Sequence, residues 1–137
     1  MTIADKLRSI LAESPRYQTH TWRGEVINAG IRGIDRRALL RPADLSGRHV
    51  LDLGCATGAE CMAAVEAGAM TVLGVEQDPK IADAAHRLVK IARLVGRIVI
   101  VRHDLRAGLP PEAGTGIWNT VFAFAIAQHL GYRQIWR

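Results

Sequence analysis

From His49 onward, short apolar runs alternate with segments of helical period, and no other feature of the chain restricts its fold as tightly. His49–Leu53 reads as a buried strand, and Ala59–Ala67 as a helix closed by Gly68. Thr71–Glu76 reads as a second strand. Asp78-Pro79 then supplies an N-cap and a proline at the first helical position. The helix that follows sets Ile81, Ala85, Leu88, Ala92 and Val95 on one face. Arg87, Lys90 and Arg93 lie on the other, and Gly96 ends it. Within Arg97–His103, Ile98-Val99-Ile100-Val101 is the β-branched run expected of a strand buried on both faces. A Gly/Pro-rich loop, Ala107–Gly116, leads to a fourth strand at Thr120–Ala125. Such alternation means βαβ units, right-handed crossovers and a parallel sheet. The expected fold class is α/β, a doubly wound parallel sheet.

A chain of 137 residues, 49% apolar and 23% charged, suits a single domain with a real core. Its longest apolar runs, such as Val121–Ala127, fall well short of a membrane span. Asp5 and Glu13 interrupt the N-terminal region, which therefore lacks the apolar stretch of a secretory signal, and a cytoplasmic location is expected. Cys55 and Cys61 have neither CxxC nor paired-histidine spacing, so a disulfide framework or metal site is not expected; both read as reduced, buried fillers. The formal charge of +5 favours anionic partners, but the basic residues are scattered. A solubilising basic surface, a nucleic acid partner and an acidic small substrate all fit that pattern. Ahead of the alternating region, Ile3–Ala12 has helical spacing and ends at Ser14-Pro15. Arg16–Pro42 is polar, with a short helix expected at Asp35–Leu40.

The chemistry concentrates where the first strand ends in Asp52-Leu53-Gly54-Cys55-Ala56-Thr57-Gly58 and a helix begins directly. Glycines let the backbone turn sharply and let a ligand approach it, and the helix N-terminus adds unpaired N–H groups. Ligands of open α/β sheets bind in this crevice. A dinucleotide fingerprint requires a middle glycine where Ala56 stands, and a phosphate-binding P-loop fails at Ala59-Glu60. Asp52 opposes a phosphate and suits a ligand that carries positive charge.

Val50–Gly58 resembles motif I of the class I, Rossmann-type methyltransferases that use S-adenosylmethionine, with Ala56 at the middle glycine. Val72–Asp78 is similar to that family's second-strand motif, Val101–Leu105 to the third, and Asn119–Phe124 to the fourth, with Asn119 where an aspartate is usual. The resemblance implies S-adenosylmethionine as cofactor and a strand order of 3-2-1-4. It implies contacts from Asp52, Gly54, Cys55 and Gly58 in motif I and from Glu76 and Gln77 after the second strand. Asp104 and Leu105 follow after the third, and Phe124 after the fourth. In that scheme Glu76 takes the ribose hydroxyls, Asp104 the adenine amino group and the Leu105 N–H a ring nitrogen, while Asp52 lies near the positively charged amino acid end. His129, after the fourth strand, is a substrate-side candidate. Tyr17 and Trp22 are either part of a lid over the cofactor or packing residues.

Each acid also has a plainer reading, as a cap for the next loop or helix, and Asp78 fits that role best. His20, His49, His86 and His103 read as structural. The whole is expected to be a single domain over 1–137. Residues 1–45 form an N-terminal helical lid region and 46–137 the cofactor-binding core. The resemblance implies that the family's last three strands are missing, and an exposed fourth-strand edge is then expected to invite self-association. The implied reaction is methyl transfer to a small-molecule or RNA acceptor. No catalytic base is evident. A non-catalytic binding module and a nicotinamide-dependent oxidoreductase are the rival readings.

Overall fold

The computed structural model describes residues 1–15, 17–31, 39–114 and 116–124. The chain opens with α1 (Ile3–Ala12), whose Thr2 hydroxyl accepts from the Asp5 N–H while Asp5 accepts from the Thr2 N–H, closing a capping box. The hydrogen bonds from Thr2 hold the Asp5 carboxyl below its ordinary value. A hairpin follows, β1 (His20–Trp22) and β2 (Glu25–Asn28), then a single turn of helix, α2 (Pro42–Leu45). The main unit runs β3 (His49–Leu53), α3 (Ala59–Glu66), β4 (Thr71–Glu76), α4 (Pro79–Ile91), β5 (Ile98–Arg102), a 3-10 turn at Leu105–Ala107, α5 (Pro111–Gly114) and β6 (Thr120–Phe122).

Strands β3 to β6 form one parallel sheet in the order β5-β4-β3-β6, which is the expected 3-2-1-4. Leu53 pairs with Val75 and Glu76 with Arg102, so the C-terminal ends of β3, β4 and β5 line up along one rim. Two successive right-handed crossovers in the same direction put α3 and α4 on the same face. There Val50, Val72, Ile98, Ile100 and Phe122 pack with Leu7, Leu11, Met62, Val65, Ala85 and Leu88 in the main core. The other face holds a smaller cluster, Leu51, Leu73, Val75, Leu105 and Ala113.

This one-sidedness corrects an expectation. Val99 faces the thinly covered side at the outermost strand and is 53% exposed, so β5 is buried on one face only. Val95 is corrected likewise: α4 ends at Ile91, and Val95 is exposed beyond it. The fourth strand is shorter than expected, ending at Phe122 among the described residues. The region before β3 is not uniformly helical either, because Arg23 and Gly24 (φ 51° and 83°) make a two-residue hairpin turn. Positive φ at both central residues is what the twist of a tight hairpin requires. The short helix expected at Asp35–Leu40 lies mostly outside the described residues.

Gly74 sets how closely α3 approaches the sheet. A Cβ there would sit 2.9 Å from Cys55 Sγ, 2.9 Å from Ile100 Cδ1 and 3.0 Å from Cys61 Sγ. Gly74→Ala is therefore expected to destabilise the fold by about 1–3 kcal/mol through overpacking. Urea denaturation of the two proteins checks this, and equal midpoints would refute it.

Candidate functional site

The rim at the ends of β3, β4 and β5 carries the loop that joins β3 to α3. Gly54, Ala56 and Gly58 have φ of 75°, 49° and 85°, three left-handed residues in alternation. That geometry explains why alternating glycines suit the position, and Ala56 bears a steric cost of about 1–2 kcal/mol. Val75 O accepts from both Gly54 N and Cys55 N at 2.9 Å, tying the loop to the next strand.

Glu76, at the end of β4, supports the strained residue. Its Oε1 accepts from the Ala56 N–H at 3.2 Å and its Oε2 from the Asp78 N–H at 2.8 Å. Each carboxylate oxygen has capacity for a further donor, and Glu76 is only partly buried at the rim. Beside it lies a cleft of about 590 Å³ lined by Gln77, Asp78, Arg102, His103, Asp104 and Arg106. Asp78 caps α4 by accepting from Lys80 N and Ile81 N, the role expected of it.

Asp104 occupies the cleft wall in a bidentate pair with Arg106, whose Nη2 lies 2.8 Å from Oδ2. It also accepts from the Arg106 N–H at 2.9 Å, capping the 3-10 turn. Those bonds to Arg106 hold the Asp104 carboxyl below its ordinary value and raise the guanidinium. A ligand amine reaching Asp104 must share it with Arg106. The Leu105 side chain packs with Leu51, Leu73 and Val75, so its backbone is the part left to face a ligand.

Asp52 is not on the surface of the crevice. Its carboxylate is 2% exposed and accepts from Cys61 Sγ at 3.2 Å beneath the loop. Hydrogen bonding with Cys55, burial and the Asp52 charge push the Cys61 thiol well up, so it stays protonated. Both cysteines are free and buried. Phe124 lies just past β6, partly buried against the main core, its ring 5.2 Å from that of Phe122. His129 lies outside the described residues. Tyr17 is exposed, and Trp22 lines a separate groove with Met62, Val65, Leu94 and Arg97. Neither residue lines the cleft beside Glu76. Among the described residues no cluster of three His, Cys, Asp or Glu side chains is placed to hold a metal, and no helix is long and apolar enough to cross a membrane.

Four residues that the sequence reading passed over or called structural meet behind the loop: Gln18, His20, Thr57 and Glu60, all buried. Gln18 Nε2 donates to Cys55 O at 3.1 Å and to the Glu60 carboxylate, and its Oε1 accepts from Ala59 N at 3.2 Å. The Thr57 hydroxyl donates to the same Oε1 at 3.2 Å. That hydroxyl has one proton, so the 2.7 Å contact with His20 Nε2 is an imidazole N–H donating to Thr57 Oγ1. Burial lowers the His20 pKa from its ordinary 6.5 to about 4, which keeps the ring neutral. The one available hint in the sequence was Gly58, a helix-capping position without a capping side chain.

No family profile matches the chain. Among curated proteins it is similar to a tRNA U34 carboxymethyltransferase of Hahella chejuensis, 35% identical over 86 residues that make up 62% of this chain and 25% of that one. It is also similar to a ribosomal protein L11 methyltransferase of Xanthomonas oryzae pv. oryzae, 40% identical over 68 residues, 47% of this chain and 21% of the other. The chain thus spans about a quarter or less of the length of these relatives. Among solved structures, a protein described as an O-methyltransferase from Klebsiella pneumoniae superposes with a TM-score of 0.64 at 15% identity, over 91% of this chain and 54% of that one. The N-terminal domain of EvdMO1, crystallised with SAH and D-fucose, superposes with a TM-score of 0.61 at 18% identity, over 88% and 52%. At those identities the superpositions speak to the fold.

Proposed function

We propose that the chain is part of a class I, Rossmann-type methyltransferase, that it binds S-adenosylmethionine along the rim of β3, β4 and β5, and that it serves methyl transfer to a small-molecule or RNA acceptor. The observation that carries the reading is the Glu76 carboxylate, which braces the left-handed Ala56 and directly precedes Gln77 and Asp78 of the cleft wall. The donor set fits the group: a carboxylate for two vicinal hydroxyls, a second carboxylate at Asp104 for an exocyclic amine, and a backbone curve without side chains at Gly54 and Gly58.

In this reading Glu76 and Gln77 hold the ribose and Asp104 and Leu105 the adenine. Cys55 lies in the loop that receives the amino acid end, and Phe124 closes the rim after β6. Asp52 acts from beneath as a buried negative charge under the loop, without touching the ligand. The cofactor supplies an activated methyl group, and the chain's residues supply position and exclusion of water. The described residues from 46 onward form the cofactor core, and the described residues before them support it.

Calorimetric titration of the purified chain with S-adenosylhomocysteine, with NAD as control ligand, tests the proposal. Saturable binding of S-adenosylhomocysteine alone is expected. A folded chain that prefers NAD, or binds neither ligand, would overturn it.

A further inference from the structure

We propose that Gln18 and His20 are positioning residues of the loop between β3 and α3, so that the hairpin region is an internal support of the ligand site. The proposal rests on the S-adenosylmethionine reading for its functional meaning, though the support itself is a property of the chain. Its starting point is a deficit at the start of α3. The N-cap, Gly58, sits at φ 85°, a conformation that suits glycine. Glycine has no side chain with which to cap the helix, and no N-cap side-chain hydrogen bond exists there. The Ala59 N–H needs an acceptor, and one arrives from 41 residues upstream in Gln18 Oε1.

One carboxamide reads the whole turn. Its oxygen takes Ala59 N–H and the Thr57 hydroxyl, and its nitrogen gives to Cys55 O and the Glu60 carboxylate. His20 fixes the Thr57 hydroxyl from the other side. Donor and acceptor are assigned at every point, so the arrangement has a single polarity and a reversed amide would break it. A fully satisfied buried network of this kind specifies one geometry, where an apolar contact would tolerate several. The geometry specified is a strained one, with the left-handed Ala56 between Cys55 and Thr57.

The backbone behind Gln18 is held as tightly. A Cβ on Gly30 would lie 2.7 Å from Gln18 C, 2.8 Å from Thr19 N and 2.9 Å from Tyr17 O, and the Gly30 N–H donates to Thr19 Oγ1 at 3.0 Å. The return of the hairpin therefore presses the Gln18 segment against the loop.

Two measurements on the full chain test the proposal. In ligand-free hydrogen exchange, Gln18→Leu is expected to speed exchange across residues 54–60 by at least about tenfold while β4 and β5 keep their protection. In titration with S-adenosylhomocysteine, Gln18→Glu sets a carboxylate against Cys55 O and Glu60 and is expected to weaken binding by at least about tenfold. Adding Glu60→Gln restores a donor to the pair and is expected to recover most of that loss. A role in stability alone predicts that the two substitutions add instead. If Gln18→Glu does not fold, Thr57→Val, which cuts only the hydroxyl link, is read by the same two measurements. Unchanged exchange over 54–60, or a double variant no better than Gln18→Glu alone, overturns the proposal. A parent chain that fails to bind S-adenosylhomocysteine overturns the cofactor reading, and the exchange result still decides the support.

Discussion

Glu76→Ala is expected to weaken binding of S-adenosylhomocysteine by about 100-fold or more, the largest loss from any single change at the site. The reason is a double duty. The carboxylate can accept charge-assisted hydrogen bonds from both ribose hydroxyls, each worth about 1.5–3 kcal/mol. It also holds the Ala56 N–H and the Asp78 N–H, so its removal loosens the glycine loop and the start of α4 together. Glu76→Gln separates the two contributions. It keeps one carbonyl oxygen for the backbone, sets its NH2 against the other N–H and loses the charge, so its thermal midpoint should fall less than that of Glu76→Ala while affinity still falls by about tenfold. Calorimetry with a parallel melt of each variant reads both. Parent-like affinity in a folded Glu76→Ala protein would remove Glu76 from the site.

Acidification is expected to weaken the fold through His20. The ring is 1% exposed and its pKa is lowered from 6.5 to about 4 by burial. Above pH 6.5 both folded and unfolded chains carry a neutral ring, and its contribution to stability is complete. As pH falls below 6.5, the unfolded chain takes up a proton that the folded chain refuses until about pH 4, so stability drops across that window. The full shift corresponds to about 3 kcal/mol. Asp5 and Asp104, whose carboxyls lie below 3.8, lose their contributions at lower pH and leave the window clear. Urea titrations between pH 7 and pH 4 should therefore slope steeply in the parent. His20→Gln, which keeps a donor for Thr57, should flatten that slope. Identical slopes would assign the acid sensitivity elsewhere.

Both predictions concern residues whose roles depend on more than their own segment, and they differ in how far the sequence announced them. Glu76 ends an apolar β-branched strand in register with the glycine loop, a local pattern that can be read directly. His20 and Gln18 lie 37 to 42 residues from the groups they touch. Polar side chains in a short hairpin carry no periodicity to mark a distant partner. The hairpin itself had a signal in Arg23-Gly24, but it was a weak one beside the surrounding polar residues.

What the sequence determined by itself was the four-stranded parallel core and its rim, while the strand order followed from the family that its motifs resemble. Apolar runs, helix caps and glycines act over a few residues, and once the order is given the handedness of βαβ crossovers fixes the face on which each helix lies. Tertiary structure alone decided three further things. It left Val99 exposed, because α3 and α4 both cross on the opposite face. It turned the Asp52 carboxylate under Cys61, because the strand's alternation sends that position into the main core. And it brought Gln18 to the start of α3, where a glycine required by backbone geometry left a cap to be supplied from elsewhere in the chain.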